Sequence, residues 1–472
     1  MTSSDARPAA QLPPLTFTPG LSTDERRALG AQRRAEVPVA ALAQVPAVAD
    51  RVDPLAVLHA QDASRVPSLI PLRYERMAAD PFSFLRGAAA VMAADLGALP
   101  SSGIRVQLCG DAHLANFGMF ASVERDLVFD VNDFDETLPG SFDWDVRRLV
   151  ASAAVAAQVA GHGRKTIARA AREAAHRYRA TITRLSGMTA LEAWYVKLDV
   201  SKLSDILSGS SLQKEITKEG RKAQQRTSDT SAAKLTTMVN GRRRFRSEPP
   251  LLVPLSEDDP TIALHRISPV FKHYLTTLEP DRVALLEHFT FSDLARKVVG
   301  VGSVGTRAGI ILLESGDGDA LILQIKQATA SVLEPYMGAS SFQNHAQRVV
   351  VGQRLMQATG DPFLGWVRED GDDPQDYYVR QLRDMKGSVD VARLDKEGLV
   401  HYAGLCGAVL ARAHGRVGDS AMVSGYLGTD EEFDDAMSAF AVSYVDINDG
   451  DHARLVAERA SRTGEPGPDS TT

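Results

Sequence analysis

Apolar residues recur at helical spacing over residues 145–185, an alanine-rich run in which Gly161 and Gly163 mark a break, so the pattern predicts two successive helices. Residues 400–414 repeat it, with Ala403, Leu405, Cys406, Val409, Leu410 and Ala413 as the buried stripe. A further helix over 342–358 takes Phe342, Ala346, Val349, Val350 and Leu355 as its apolar side. Residues 54–98 read as helices broken by prolines, the last opening at Pro81-Phe82-Ser83-Phe84-Leu85 and running to Leu96. Ser22-Thr23-Asp24-Glu25 has the form of a capping box and predicts a helix start. Strand patterns are shorter. Residues 104–108 and 127–131 each read as one strand. Residues leading into 308–314, then 320–326 after the turn Ser315-Gly316-Asp317-Gly318-Asp319, predict an antiparallel meander, and 377–382 adds another strand.

The 472 residues allow two or three domains, and the apolar and charged fractions are those of an ordinary globular protein. The ends, 1–20 and 462–472, are polar and rich in proline and glycine, which predicts disorder there. A net charge of -7 argues against a dedicated nucleic-acid binder. The two cysteines, Cys109 and Cys406, cannot make a disulfide framework and suit a reducing compartment. The N-terminus lacks the apolar core of a signal peptide, and no apolar run reaches the roughly 18 residues that a membrane span needs. The expectation is a soluble, cytoplasmic chain. One stretch departs from the average: 214–246 holds ten Lys/Arg against three Asp/Glu. It reads as a solvated surface helix and loop, or as a basic flap that meets an anionic substrate.

Candidate chemistry concentrates in two places. The first is Gly110-Asp111-Ala112-His113-Leu114-Ala115-Asn116, followed by Asn132-Asp133-Phe134-Asp135. Phosphoryl transfer calls for such a set: a carboxylate near the acceptor hydroxyl, here Asp111, with a carboxamide and a carboxylate, Asn116 and Asp133, to hold Mg²⁺. Asp130 and Asp135 are near enough in sequence to join as ligands. His113 either fixes the loop by a hydrogen bond or is a buried structural histidine. Asp145 either begins its helix on dipole grounds or accepts backbone N–H bonds from the loop. The second place is Gly300-x-Gly302-x-x-Gly305. A dinucleotide fingerprint would open a helix. Here a strand follows, and the next strand ends in Lys326, so glycine amides and a lysine charge are available to phosphate oxygens.

On these residues the chain resembles the catalytic core of aminoglycoside phosphotransferases and choline kinases. At full length, Arg73-Tyr74-Glu75-Arg76-Met77, Phe84-Leu85-Arg86-Gly87, Gly110-Asp111-Ala112-His113 and Val379-Arg380-Gln381-Leu382-Arg383-Asp384-Met385-Lys386 resemble an uncharacterised bacterial domain family. The resemblance implies an α+β, bilobal, protein-kinase-like fold using ATP and Mg²⁺. Asp111 then matches the catalytic aspartate, Asn116 and Asp133 the metal ligands, and Gly300, Gly302, Gly305 and Lys326 the nucleotide loop and its lysine. The order is reversed, because the glycine loop follows the catalytic aspartate by almost two hundred residues. That implies a circular permutation: a mainly helical catalytic lobe (21–290), a small antiparallel-sheet nucleotide lobe (291–390), and helices returning to the first lobe (391–461). The helix 342–358 lacks any Asp or Glu to pair with Lys326, which leaves Glu334 or no partner. The expected activity is transfer to a hydroxyl of a small-molecule acceptor. The alternatives are AMP transfer to protein hydroxyls and a non-catalytic, nucleotide-responsive binding protein.

Overall fold

The computed structural model describes residues 20–206, 210–255, 260–298, 300–369, 374–382 and 385–463. Both expected disordered ends fall almost wholly outside these residues. The last helix, Glu432–Thr463, does run through Arg462, where a tail was expected.

The two helices expected around the glycine break are Phe142–Val159 and Arg164–Ser186. Gly161 turns the chain between them with φ +76, a conformation that a side chain would strain. Lys396–Gly415 packs along the second, and Glu432–Thr463 packs against both. Close approach depends on small residues: a Cβ on Gly407 would collide with the carbonyl of Ala174. The same device joins Thr23–Glu36, whose capping box forms as expected, to Ser420–Leu427. There Gly30 lies against the Met422 carbonyl and Gly425 against that of Arg27. Gly425→Ala is therefore expected to destabilise the fold by about 1–3 kcal/mol through overpacking, read from urea unfolding.

One helix differs from the pattern. The run from Pro81 stops at Gly87 and restarts as Ala89–Gly97, with Ala88 at φ -111, ψ 35. Two buried guanidinium groups capture the carbonyls of the last turn: Arg148 Nη2 donates to Leu85 at 2.5 Å and Arg73 Nη2 to Gly87 at 3.3 Å. Local spacing carries no trace of such distant donors.

The strands are β1 (Arg105–Leu108), β2 (Phe117–Ala121), β3 (Leu127–Val131), β4 (Leu138–Ser141), β5 (Thr236–Val239), β6 (Arg242–Phe245), β7 (Leu252–Pro254), β8 (Phe289–Lys297), β9 (Ala308–Ser315), β10 (Ala320–Ala328), β11 (Gly365–Arg368) and β12 (Asp376–Gln381). Strand β1 pairs with β4, β2 with β3 and β5 with β6, and the rest form one antiparallel sheet in the order β11-β12-β10-β9-β8-β7. The molecule is thus α+β. The meander β8–β9–β10 forms as the pattern predicts, while β7 comes from a stretch expected to be helical.

The two sheet faces bury different side chains. Leu321, Leu323, Ile311, Leu313 and Val379 lie under Tyr274, Leu278 and Leu286. Ala295, Ile310, Leu312, Ile322 and Leu382 lie under Ala232, Leu235, Phe245 and Leu252. The basic stretch therefore divides: helix Ser228–Leu235 and the β5–β6 hairpin fold onto the sheet, while helix Ser211–Gln224 packs against Lys396–Gly415 in the helical body. Several of its cations are used internally: Lys218 on Glu215, Lys222 on Glu219, Arg243 on Glu314, and Arg226 on the Lys386 carbonyl. Among the described residues, no helix is long and apolar enough to cross a membrane.

Candidate functional site

The acidic loop is built from its backbone outward. Strand β1 delivers Cys109 and Gly110 to the first turn of Phe142–Val159, where the buried Asp145 carboxylate accepts both amides, at 2.8 and 3.0 Å. His414 Nε2 lies 3.1 Å from the same carboxylate, and its Nδ1 lies 2.8 Å from the Tyr178 hydroxyl. Gly110 has φ +85, and a Cβ there would strike the Glu136 carbonyl, so only glycine fits. The Asp111 carbonyl then accepts from the His113 amide and from Asn116 Nδ2, each at 2.8 Å. Ser152 Oγ accepts the Leu114 amide at 2.8 Å. The loop is thereby fixed before any ligand arrives.

The side chains of this loop meet a second set of arginines. Arg148 lies one helical turn beyond Asp145, and its Nε donates to Asp111 Oδ1 at 2.8 Å. Burial pushes the Asp111 carboxyl up to about 6, with Arg148 pulling it part of the way back. His113 Nε2 lies 3.6 Å from Asp111 Oδ2. Burial, with the charges of Arg86 and Arg148, holds its imidazole well below the usual histidine range, so it is neutral.

The second acidic segment is joined to the sheet. Lys326, 2 % exposed on β10, forms an ion pair with Asp135, and the Tyr378 hydroxyl donates to the other Asp135 oxygen at 2.7 Å. Burial opposes the ammonium charge, but Asp133 and Asp135 outweigh it and raise the Lys326 pKa well above the ordinary lysine range. The lysine's partner is therefore Asp135. Glu334 instead accepts from the Ser331 amide at 3.2 Å. The helix His345–Met356 presents the buried Arg348, which donates to the carbonyls of Asp135, Thr137 and Thr329. That helix thus holds the acidic segment by its backbone, through an arginine.

This pairing changes the expected metal set. Both Asp135 oxygens are engaged by protein groups, which leaves Asn116 and Asp133 as the oxygen donors of the set. Asp130 is also removed from it: Arg412 pairs with it, the Ala358 amide donates to it at 3.1 Å, and it is buried. Among the described residues, no three His, Cys, Asp or Glu side chains converge as a metal cage. One carboxylate and one carboxamide fit Mg²⁺, which keeps waters and ligand phosphates in its shell.

A cavity of about 570 Å³ lies between these segments. Asp111, His113, Asn116, Asp133, Asp135, Gly300 and Gly302 all line it, as do Arg65, Arg86 and Glu136. Asp145, Lys326 and Gly305 are not in the lining; Asp145 and Lys326 act on it through the residues they hold. The glycine turn is pinned from outside, because Arg65 Nη1 donates to the carbonyls of Gly302 (2.9 Å) and Val304 (2.5 Å), and the Val66 amide donates to Gly305 at 2.7 Å. Gly300 and Gly305 have φ +72 and +94. No residue of the basic stretch 214–246 lines this cavity, so that stretch is no flap over it.

Sequence reasoning passed over Arg148, Arg86, Arg65, Glu136, Tyr378 and Arg348. Arg148 carried the one local signal, a charge that falls with Asp143, Asp145 and Arg147 on the first turns of a helix whose remainder is alanine-rich and apolar. Burial pushes the Glu136 carboxyl up to about 7, although the Val332 amide donates to it at 2.8 Å. A folded-state pKa above the unfolded value means that the stability this group contributes is present below about 4.5 and lost as pH rises through about 7. Glu136→Gln, which keeps an acceptor for Val332, is expected to raise the melting temperature at pH 8 and leave it unchanged at pH 4, as scanning calorimetry at both pH values would check.

These elements define an α+β protein with an acidic, arginine-flanked cleft between an antiparallel sheet and a helical body. Residues 65–458 match the family described as an uncharacterized protein conserved in bacteria (DUF2252), and the chain belongs to that family. No curated protein and no solved structure matches it.

Proposed function

We propose that the protein is an ATP- and Mg²⁺-dependent phosphotransferase acting on a hydroxyl of a small-molecule acceptor. Its fold would be of the bilobal protein-kinase-like type, with the two lobes written in permuted order. The observation that carries this reading is the Lys326–Asp135 ion pair, which joins positions 191 residues apart and sets the glycine turn and the acidic loop around one cavity. The element order supports it too. Strand β8, glycine turn, β9, β10 with its lysine, helix and two closing strands is the succession of a kinase nucleotide lobe.

The roles follow from position. Asp111 orients the acceptor hydroxyl and takes its proton, and a pKa near 6 suits a base working close to neutral pH. The glycine amides receive donor phosphates, and Lys326, which lies behind the cavity lining on Asp135, would join them by exchanging that carboxylate for a phosphate oxygen. Asn116 and Asp133 would hold Mg²⁺, which, when bound, neutralises phosphate charge. Asp145 positions the loop without touching substrate.

The test is ATP consumption with a metabolite library. Asp111→Ala and Asp133→Ala are expected to abolish it, and the label is expected to move from γ-labelled ATP. Label arriving on protein from α-labelled ATP alone would establish AMP transfer instead. Absence of nucleotide binding by calorimetry would remove the proposal.

A further inference from the structure

Two arginines in the cleft wall carry charges that no carboxylate touches. Among the described residues, Arg86 makes no hydrogen bond or ion pair, and its Nε is buried without a partner. Burial lowers its pKa, with Asp111 and then Asp80 as the opposing charges nearby. Arg65 donates only to the carbonyls of the glycine turn, and its Nε is likewise buried and unpartnered. Burial, together with the charge of Arg73, pushes it down to about 10. The two meet at that turn: Gly302 approaches the Arg86 carbonyl, and Gly305 lies against the Arg65 side chain, each within 3.1 Å of where a Cβ would stand. His113 adds a buried Nδ1 with no partner.

Three of the four carboxylates that line the cleft are engaged by other groups. Asp111 is held by Arg148, Asp135 by Lys326 and Tyr378, and Glu136 accepts from the Val332 amide. A desolvated guanidinium without a counter-ion is costly, and a planar fork facing a cavity matches the oxygens of a phosphate or carboxylate. Position separates this charge from that of Lys326. Lys326 is paired with Asp135 and lies behind the cavity lining, whereas Arg86 is part of that lining.

We propose that Arg86 and Arg65, beside His113, form an anion subsite of the cleft, and that the acceptor carries a phosphate or carboxylate in addition to its reacting hydroxyl. This rests on the phosphotransferase reading, in which donor phosphates lie at Lys326 and the acceptor hydroxyl at Asp111.

Calorimetry on the full chain tests it, with inorganic phosphate as the probe, alone and with saturating Mg²⁺ and a non-hydrolysable ATP analogue. Phosphate is expected to bind in both conditions, to weaken by about tenfold or more in Arg86→Gln, and to recover in part in Arg86→Lys. A phosphate-dependent rise in the melting temperature of the wild type gives the same readout without a variant. Displacement of phosphate by the nucleotide analogue would place these arginines on the donor side and overturn the acceptor assignment. Unchanged binding in Arg86→Gln, or none in the wild type, would overturn the subsite itself. Should phosphate bind through Arg86 while no nucleotide binds, the phosphotransferase reading falls and the anion subsite stands.

Discussion

Asp145→Ala is expected to lower stability by about 3–5 kcal/mol and to abolish turnover, although Asp145 never meets a substrate. The carboxylate is buried and serves three donors at once: the amides of Cys109 and Gly110 and the ring of His414. Alanine leaves two buried amides without acceptors, each costing roughly 1–3 kcal/mol. The loop cannot relax to find others, because Gly110 is confined at positive φ against the Glu136 carbonyl. Asp111, the next residue, would lose its fixed position. Asp145→Asn keeps one oxygen acceptor and is expected to cost roughly half as much. Urea unfolding measures the stability, and hydrogen exchange at residues 109 and 110 measures the loop. Unchanged protection of those amides in Asp145→Ala would show that the loop is held by something else.

The parts of this molecule that depend on near neighbours in sequence were legible in it. The glycine break after residue 159, the capping box at Ser22 and the β8–β9–β10 meander follow from spacing and turn chemistry alone. The residues lining the cleft were legible as types, since hard oxygen donors and a glycine turn suit phosphate chemistry wherever they stand. What was not legible depends on contacts across long loops. The break at Ala88 comes from Arg148, some sixty residues on, drawing away the Leu85 carbonyl. The partner of Lys326 is an aspartate from the far segment rather than a glutamate from the next helix. The cations of 214–246 suggested a flap because charge patterning says nothing of which acids or carbonyls stand opposite. Arg65 sits in a bend after the helix that ends at Asp62, and Arg86 in the last turn of Pro81–Gly87, within a block that signals the family but no role; their meaning comes from the cavity they face.

Lys326→Met separates the two roles of the ion pair. The substitution strands Asp135 with only the Tyr378 hydroxyl and the more distant Ser303 as donors, and is expected to cost about 2–4 kcal/mol of stability. It also removes the cation offered to donor phosphates, which is expected to weaken Mg²⁺–ATP binding roughly 100-fold. The double variant Lys326→Met/Asp135→Asn has no stranded charge. It is expected to regain most of the lost stability and none of the lost affinity, because the repair concerns Asp135 whereas the phosphates need the ammonium. Urea unfolding and calorimetry on the wild type, both single variants and the double variant complete the cycle. A double variant that binds nucleotide as tightly as the wild type would make Lys326 a purely structural counter-ion and leave the glycine turn without its charged companion.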